Sequence, residues 1–234
     1  MHGALCRLPA ALACLLCIAG CDEPPALEYF PLQEQMEWQY QISKTILNES
    51  FTQRSIIRSL EHTMVDGRKL YPQILANGKR YHFFVTDQGI HRLAQDNATT
   101  SLILKFPLQA GTEWTEPTRL FLFTLPKNPS GADRIQSDEM FKLSDGLQLD
   151  YEISSLDETV ESQAGRFYNC LRVDAIGLLR LPGRMMLGVR TIKVRDTEWY
   201  CPGVGLVKKI RQEFALPLDY PTEYRQELTG FTRL

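Results

Sequence analysis

Apolar and polar positions along this chain seldom follow the 3.6-residue period of an amphipathic helix. Short runs rich in β-branched and aromatic residues alternate instead with turn signals: Asp66-Gly67, Asn77-Gly78 and Asp87-Gln88-Gly89. Asn-Gly and Asp-Gly between such runs are strong hairpin signals. The pattern predicts an antiparallel meander over 53–65, 68–76, 79–86 and 89–95. Later strands are expected at 148–161, 166–178, 189–200, 204–214 and 222–231. The stretch 126–139, "PKNPSGADRIQSDE", is polar and rich in turn formers, and reads as a surface loop or flap. The class is therefore mainly β, with few helices. Two-residue turns through the meander would align His62, Tyr71, Phe84 and His91 in one row. The end histidines would then lie three strand spacings apart, roughly 14 Å, too far to share a zinc ion. Cross-strand packing is the plainer reading of that row.

One apolar-polar pattern occurs twice. "FPLQEQMEW" (30–38) returns as "FPLQAGTEW" (106–114), six of nine positions identical. The match stops at once on either side, so it marks a local device and not a duplicated domain. It reads as a strand-entry corner. Pro31 and Pro107 would remove a donor at a sheet edge, the middle residues turn, and Trp38 and Trp114 open buried runs. Gly111 suits such a turn, whereas Gln35 would reach it at a cost.

The N-terminus changes the picture. After Arg7 comes an apolar run from Leu8 to Ile18, then Ala19-Gly20-Cys21. That run is far short of the roughly 20 residues needed to cross a bilayer, and it reads as a processing signal. Ile18-Ala19-Gly20-Cys21 resembles a bacterial lipobox, which implies cleavage after residue 20 and acylation of Cys21. Each buried acyl CH2 contributes about 0.8 kcal/mol, and two or more chains anchor stably. The domain plan is a signal peptide over 1–20, a lipidated cysteine with a Pro-containing tether over 21–28, and one β-rich domain over 29–234. Asp22 favours retention at the inner membrane of the envelope, with the outer membrane left open; the body would face the periplasm.

Composition narrows the function classes. Formal net charge is −2 with no dense Lys/Arg run, which speaks against nucleic-acid binding. No Ser elbow, CxxC, HExxH or phosphate-cradling glycine loop appears, so no catalytic residue, metal ligand or cofactor is nominated. The carboxylates of "SSLDETVESQ" (154–163) read as a solvated strand face. Of six cysteines, Cys21, Cys170 and Cys201 follow the signal. Cys170 and Cys201 lie symmetrically about Met185-Met186, so a hairpin would bring them opposite each other; a disulfide and two buried thiols both fit. "LLRLPGRMMLGVR" (178–190) crowds apolar residues at the expected hairpin tip. Leu181, Met185, Met186 and Leu187 form either a partner or ligand contact or an inward-folded end of the core.

Three segments together resemble a group of uncharacterised bacterial secreted proteins and lipoproteins. They are the opening "YFPLQEQMEWQY" (29–40), the middle "AGRFYNCLRV" (164–173) and the close "EWYCPGVGLVKKI" (198–210). Gln35 and Cys201 stand where that group usually has Gly and Ala. The resemblance implies a strongly curved antiparallel sheet, similar to the half-barrels of lipoprotein carriers of the LolA and LolB type. Such a sheet would hold an acyl chain or other hydrophobic ligand without catalysis. A structural or assembly subunit of an envelope complex is the alternative, and a hydrolase with an unidentified site the third reading.

Overall fold

The computed structural model describes residues 26–46, 49–93, 100–120, 146–181, 191–216 and 221–234. A four-residue helix, α1 (Ala26–Tyr29), leads into β1 (Met36–Ile46) and β2 (Glu49–Ser59). Short strands follow: β3 (Thr63–Val65), β4 (Arg68–Leu75), β5 (Arg80–Val85), β6 (Gly89–Leu93), β7 (Thr100–Lys105) and β8 (Glu113–Pro117). The long strands come last: β9 (Gln148–Ser162), β10 (Gly165–Arg180), β11 (Thr191–Cys201), β12 (Gly205–Leu216) and β13 (Pro221–Arg233). Apart from β3, which pairs only with β4, they form one sheet in the order β7-β6-β5-β4-β2-β1-β13-β12-β11-β10-β9-β8.

Every pairing is antiparallel, and the sheet curls until its edge strands meet. The Leu102 backbone N–H on β7 donates to the Glu116 carboxylate on β8, and the Lys105 ammonium donates to the Glu113 carbonyl at 2.8 Å. The result is a nearly closed barrel, which removes exposed edges that would otherwise pair with other chains.

Strand alternation sorts the side chains. On β10, Leu171, Val173, Ala175 and Leu179 point inward and are buried, while Ile176 and Leu178 point outward and are exposed. On β11 the inward positions run Ile192, Val194, Asp196, Glu198, Tyr200. Two apolar regions thus flank a polar middle. One gathers Leu149, Leu179, Leu181, Ile192 and Ala215. The other gathers Ile90, Leu104, Ile153, Leu171 and Tyr200, with Leu27 and Phe30 packed onto it.

The structure departs from the sequence pattern in four places. The run 53–65 is broken, because β2 stops at Ser59, whose Oγ accepts the Met36 N–H at 2.7 Å, and β3 pairs back onto β4. The row of four aromatic and histidine residues dissolves: Tyr71 faces Phe83, not Phe84. The cause is a three-residue turn at 76–78, closed by Leu75 N–H on the Lys79 carbonyl at 2.9 Å, where a two-residue turn was expected. Since side chains alternate with period two, one extra residue moves Phe84 to the other face. Phe84 and His91 do remain paired, their rings stacked at 4.9 Å. Residues 26–28, expected in an extended tether, instead belong to a helical turn packed on the barrel. Finally, Pro31 precedes β1 in the middle of the sheet order and not at an edge, whereas Pro107 lies between β7 and β8, the strands at the two ends of that order.

Candidate functional site

The barrel encloses a cavity of about 810 Å³, within the range of small-molecule sites. One part of its wall is apolar and aromatic: Phe30, Tyr40, Ile57, Leu75, Phe83 and Leu206. The lining also includes a charged cluster from β11 and β12, Asp196, Glu198, Lys209 and Arg211. The antiparallel register puts Asp196 beside Arg211 and Glu198 beside Lys209.

The ionic geometry is unequal. Lys209 Nζ hydrogen-bonds the Glu198 carboxylate and also lies 2.9 Å from Asp196 Oδ2. The Tyr200 hydroxyl donates to the other Glu198 oxygen. The Arg211 guanidinium is turned elsewhere: Nε to Glu213 Oε1 at 3.1 Å, Nη1 to Thr118 Oγ1 at 3.1 Å, and Nη2 to the Arg119 carbonyl at 2.7 Å. Its nearest approach to Asp196 is 3.8 Å. Both Asp196 oxygens are buried, its side chain being only 1% exposed, and the Lys209 ammonium is its nearest positive charge.

Protonation follows these contacts. Burial raises Asp196 to about 6, with Lys209 opposing and Glu198 adding to the rise. Burial would raise Glu198 as well, but Lys209 and the two hydrogen bonds outweigh it and hold that carboxyl below the ordinary range. Lys209, which burial alone would lower, is held up by Asp196 and Glu198. Burial and the Glu198 charge keep Tyr200 neutral as a donor. Across the cavity, Glu116 is raised by burial. The cluster is thus a buried ionic network in the cavity wall, centred on Lys209 between Asp196 and Glu198.

One end of the cavity is sealed by the segments that carry the opening and closing motifs, which interlock. The Gly203 N–H donates to the Glu28 carbonyl at 2.8 Å. Trp38 Nε1–H donates to the Val204 carbonyl at 2.7 Å, and the Tyr40 hydroxyl to the Leu206 carbonyl at 2.8 Å. Phe30 lies 5.0 Å from Phe83 and 6.1 Å from Tyr200, measured between ring centres. At Gly205 a side chain would approach Pro31 Cδ at 3.1 Å, which is tight, and φ is 90°. Glycine suits both constraints.

The residues nominated from sequence are placed as follows. Cys170 and Cys201 sit at opposed ends of β10 and β11, Cα atoms 4.2 Å apart and sulfurs bonded. They are buried beside Trp38, Val207 and Leu228, outside the cavity lining. Leu181 is buried against Leu120 and Leu179, in the apolar end of the core. Cys21, Met185, Met186 and Leu187 lie outside the described residues, as does the polar loop at 126–139. Sequence reasoning did not single out Asp196, Glu198, Lys209 or Arg211. The available signal was parity: both acids share the inward phase of Ile192 and Val194.

No protein-family model matches the chain, and no curated protein matches it significantly in sequence. Solved structures align with it at low similarity. A Bacteroides fragilis protein described as exported, with a YmcC-like fold, is 17% identical with a TM-score of 0.42, covering 86% of this chain and 96% of that one. A protein of Parabacteroides distasonis described as a lipoprotein is 15% identical with a TM-score of 0.43, covering 87% and 98%. A Vibrio parahaemolyticus domain described as an outer-membrane lipoprotein-sorting protein is 10% identical with a TM-score of 0.26, covering 88% and 89%. What the cavity can hold is decided by its own lining.

Proposed function

We propose that this chain is a lipid-anchored protein of the bacterial envelope that binds an amphiphilic molecule inside its barrel and does no chemistry on it. The observation that carries the reading is the cavity of about 810 Å³ lined by both apolar or aromatic and charged side chains. An entirely apolar ligand would exclude water from the polar part of the lining, which is costly. A fully polar ligand would waste the wall of Phe30, Ile57, Leu75 and Phe83. A molecule with an apolar chain and a polar head matches both. The lipobox at Cys21 supports the anchor and the envelope location, and it keeps the barrel a short tether away from lipid.

The test is native mass spectrometry of the chain from residue 22 onward, exported behind an unrelated signal peptide, with organic extraction of the same sample. A non-covalent mass that disappears on denaturation and returns in the extract is expected. An apo mass, together with no uptake of a fluorescent fatty acid or fatty amine, would sink the reading.

A second reading has one observation in its favour. Ile176 and Leu178 project outward from β10 with 44% and 61% exposure. An outward aliphatic pair of this kind fits a protein contact, as an assembly subunit would need. Replacing both by Ser should leave ligand uptake intact; on this second reading it would abolish recovery of the envelope partner after cross-linking in cells.

A further inference from the structure

The charged side chains that line the cavity carry an excess of base. Lys44, Lys79, Arg92, Lys209 and Arg211 stand against Glu116, Asp196 and Glu198. Adding Glu213, which pairs with Arg211 from outside the lining, still leaves the bases ahead. The acids are engaged within the fold. Lys209 lies between Asp196 and Glu198, and the Glu116 carboxylate accepts the Leu102 N–H. Among the described residues no carboxylate stands within ion-pair distance of Lys44, Lys79 or Arg92. Arg92 meets the charges of Glu116 and Glu198 only at longer range.

Lys79 and Arg92 are brought to one place. Lys79 Nζ lies 5.0 Å, and the Arg92 guanidinium carbon 5.2 Å, from the centre of the Tyr81 ring. A ring face attracts a cation but leaves most of its N–H donors free. Two cations held against one ring also repel each other, and an anion at the pair relieves that. Both side chains are partly exposed, so a solute reaches them. The apolar wall begins beside them. Arg92 sits across from Phe83 on β5 and from Ser101 on β7, and the Leu75 N–H donates to the Lys79 carbonyl at 2.9 Å.

Resting on the amphiphile reading above, we propose that the bound molecule carries an anionic head, a carboxylate or a phosphate, and that Lys79 and Arg92 donate to it beside Tyr81. Arg92 supplies the planar fork that suits either oxyanion, and Lys79 a compact charge. From there the apolar chain runs along Phe83, Leu75 and Ile57. An ammonium head would add a third positive charge at the same point and is disfavoured. A neutral hydroxyl would accept one hydrogen bond without offsetting the charge.

The experiment compares four probes of equal chain length, octanoate, octyl phosphate, octylammonium and octanol, by titration calorimetry on the anchor-free protein at pH 7.5. Wild type should bind at least one of the anions about tenfold or more tightly than octanol, the equivalent of one charge-assisted hydrogen bond, with octylammonium weakest. A preference for octanoate marks a free fatty acid as the source of the head, and one for octyl phosphate a phospholipid; either supports the assignment. Lys79→Gln combined with Arg92→Gln should bring the anions and the alcohol within about threefold of each other while octanol affinity stays unchanged. Arg80→Gln removes a charge from the neighbouring exposed position outside the lining and should keep the wild-type preference. Circular-dichroism melts confirm that the variants are folded, and Lys79→Gln alone serves as the milder substitution. Equal binding of anions and alcohol in wild type, or an anion preference that survives loss of Lys79 and Arg92, overturns the head-group assignment and leaves the amphiphile reading standing. Binding of none of the four overturns both.

Discussion

Two residues show how single positions answer to physics that the hydrophobic pattern does not reveal. Gln35 and Gly111 occupy the same place in the repeated segment, and both have positive φ, 59° and 84°. The repeat is thus one backbone device used twice, with Gln35 held in a conformation that costs a side-chain-bearing residue roughly 1–2 kcal/mol. Its carbonyl accepts the Leu234 N–H at 2.6 Å, which helps to hold it there. Gln35→Gly is expected to raise the urea midpoint and Gly111→Ala to lower it, each by the equivalent of about 1 kcal/mol. Opposite signs are the point, and equal signs would refute the equivalence. Asp196 gives a second residue-level expectation. Its folded carboxyl is raised to about 6 from an ordinary 3.8, so the folded state favours the protonated form. Its contribution to stability is present below the ordinary value and is lost as pH rises through about 6. Glu198, held low, works in the opposite direction and loses its contribution as pH falls. Melting temperatures measured from pH 4 to 8 should fall less steeply toward neutral pH in Asp196→Asn than in wild type. Parallel curves would contradict the burial of an ionisable Asp196. The strain at Gln35 was legible in the sequence because Gly111 stands in its place in the second copy; the burial of Asp196 was not, since an acid between Arg195 and Thr197 reads as solvated.

Strands and hairpins were the most legible level, and their failures have specific causes. The five long strands β9 to β13 lie close to the runs read from alternation, because each has one face packed and one wet. β11 shows the limit of that reading. Its inward face changes from Ile192 and Val194 to Asp196 and Glu198, so polar no longer means outward. The meander failed in two places: the run 53–65 breaks after Ser59, and at 76–78 three turn residues replaced two and moved a row of side chains by one position. Packing between β9 and β10 rests on Gly177. A Cβ there would fall 2.4 Å from the Gln148 carbonyl oxygen and 2.7 Å from Leu149 Cδ2. Gly177→Ala should therefore destabilise by about 2 kcal/mol or more, visible as a lowered urea midpoint; a neutral result would mean the two strands stand further apart. The Cys170–Cys201 bridge closes the β10–β11 hairpin. In the chain-entropy view a loop of that length contributes roughly 3–4 kcal/mol. Reduction, or the double Ser variant, should lower the melting temperature by about 10 °C. It should leave probe binding nearly unchanged, since both cysteines lie outside the cavity lining. An unchanged melting temperature would refute the bridge as a stabiliser.

At the scale of the molecule, one sheet closes almost fully on itself and leaves room inside. The opening and closing motifs, far apart in sequence, meet at one end of that room: Glu28 with Gly203, Trp38 with Val204, Tyr40 with Leu206. This is why Trp38, Tyr40 and the Pro-Gly corner belong to the architecture and carry no chemistry of their own. Among the described residues no helix is long and apolar enough to cross a membrane, so attachment at Cys21 remains a proposal from the lipobox. The sequence anticipated a curved β-sheet; it did not anticipate an ionic part of the interior, because the inward phase of β11 and β12 turns polar at Asp196, Glu198, Lys209 and Arg211. The central claim is that the interior binds an amphiphile, and it is tested most directly by filling the interior. Ser55 lines the cavity on β2, and Ser55→Trp would occupy it without touching the ionic wall. Uptake of a fluorescent fatty acid or fatty amine, followed by fluorescence anisotropy in the wild type and in a folded Ser55→Trp variant, should be saturable in the first and reduced at least about tenfold in the second. Equal uptake by both would place the ligand outside the barrel and contradict the account.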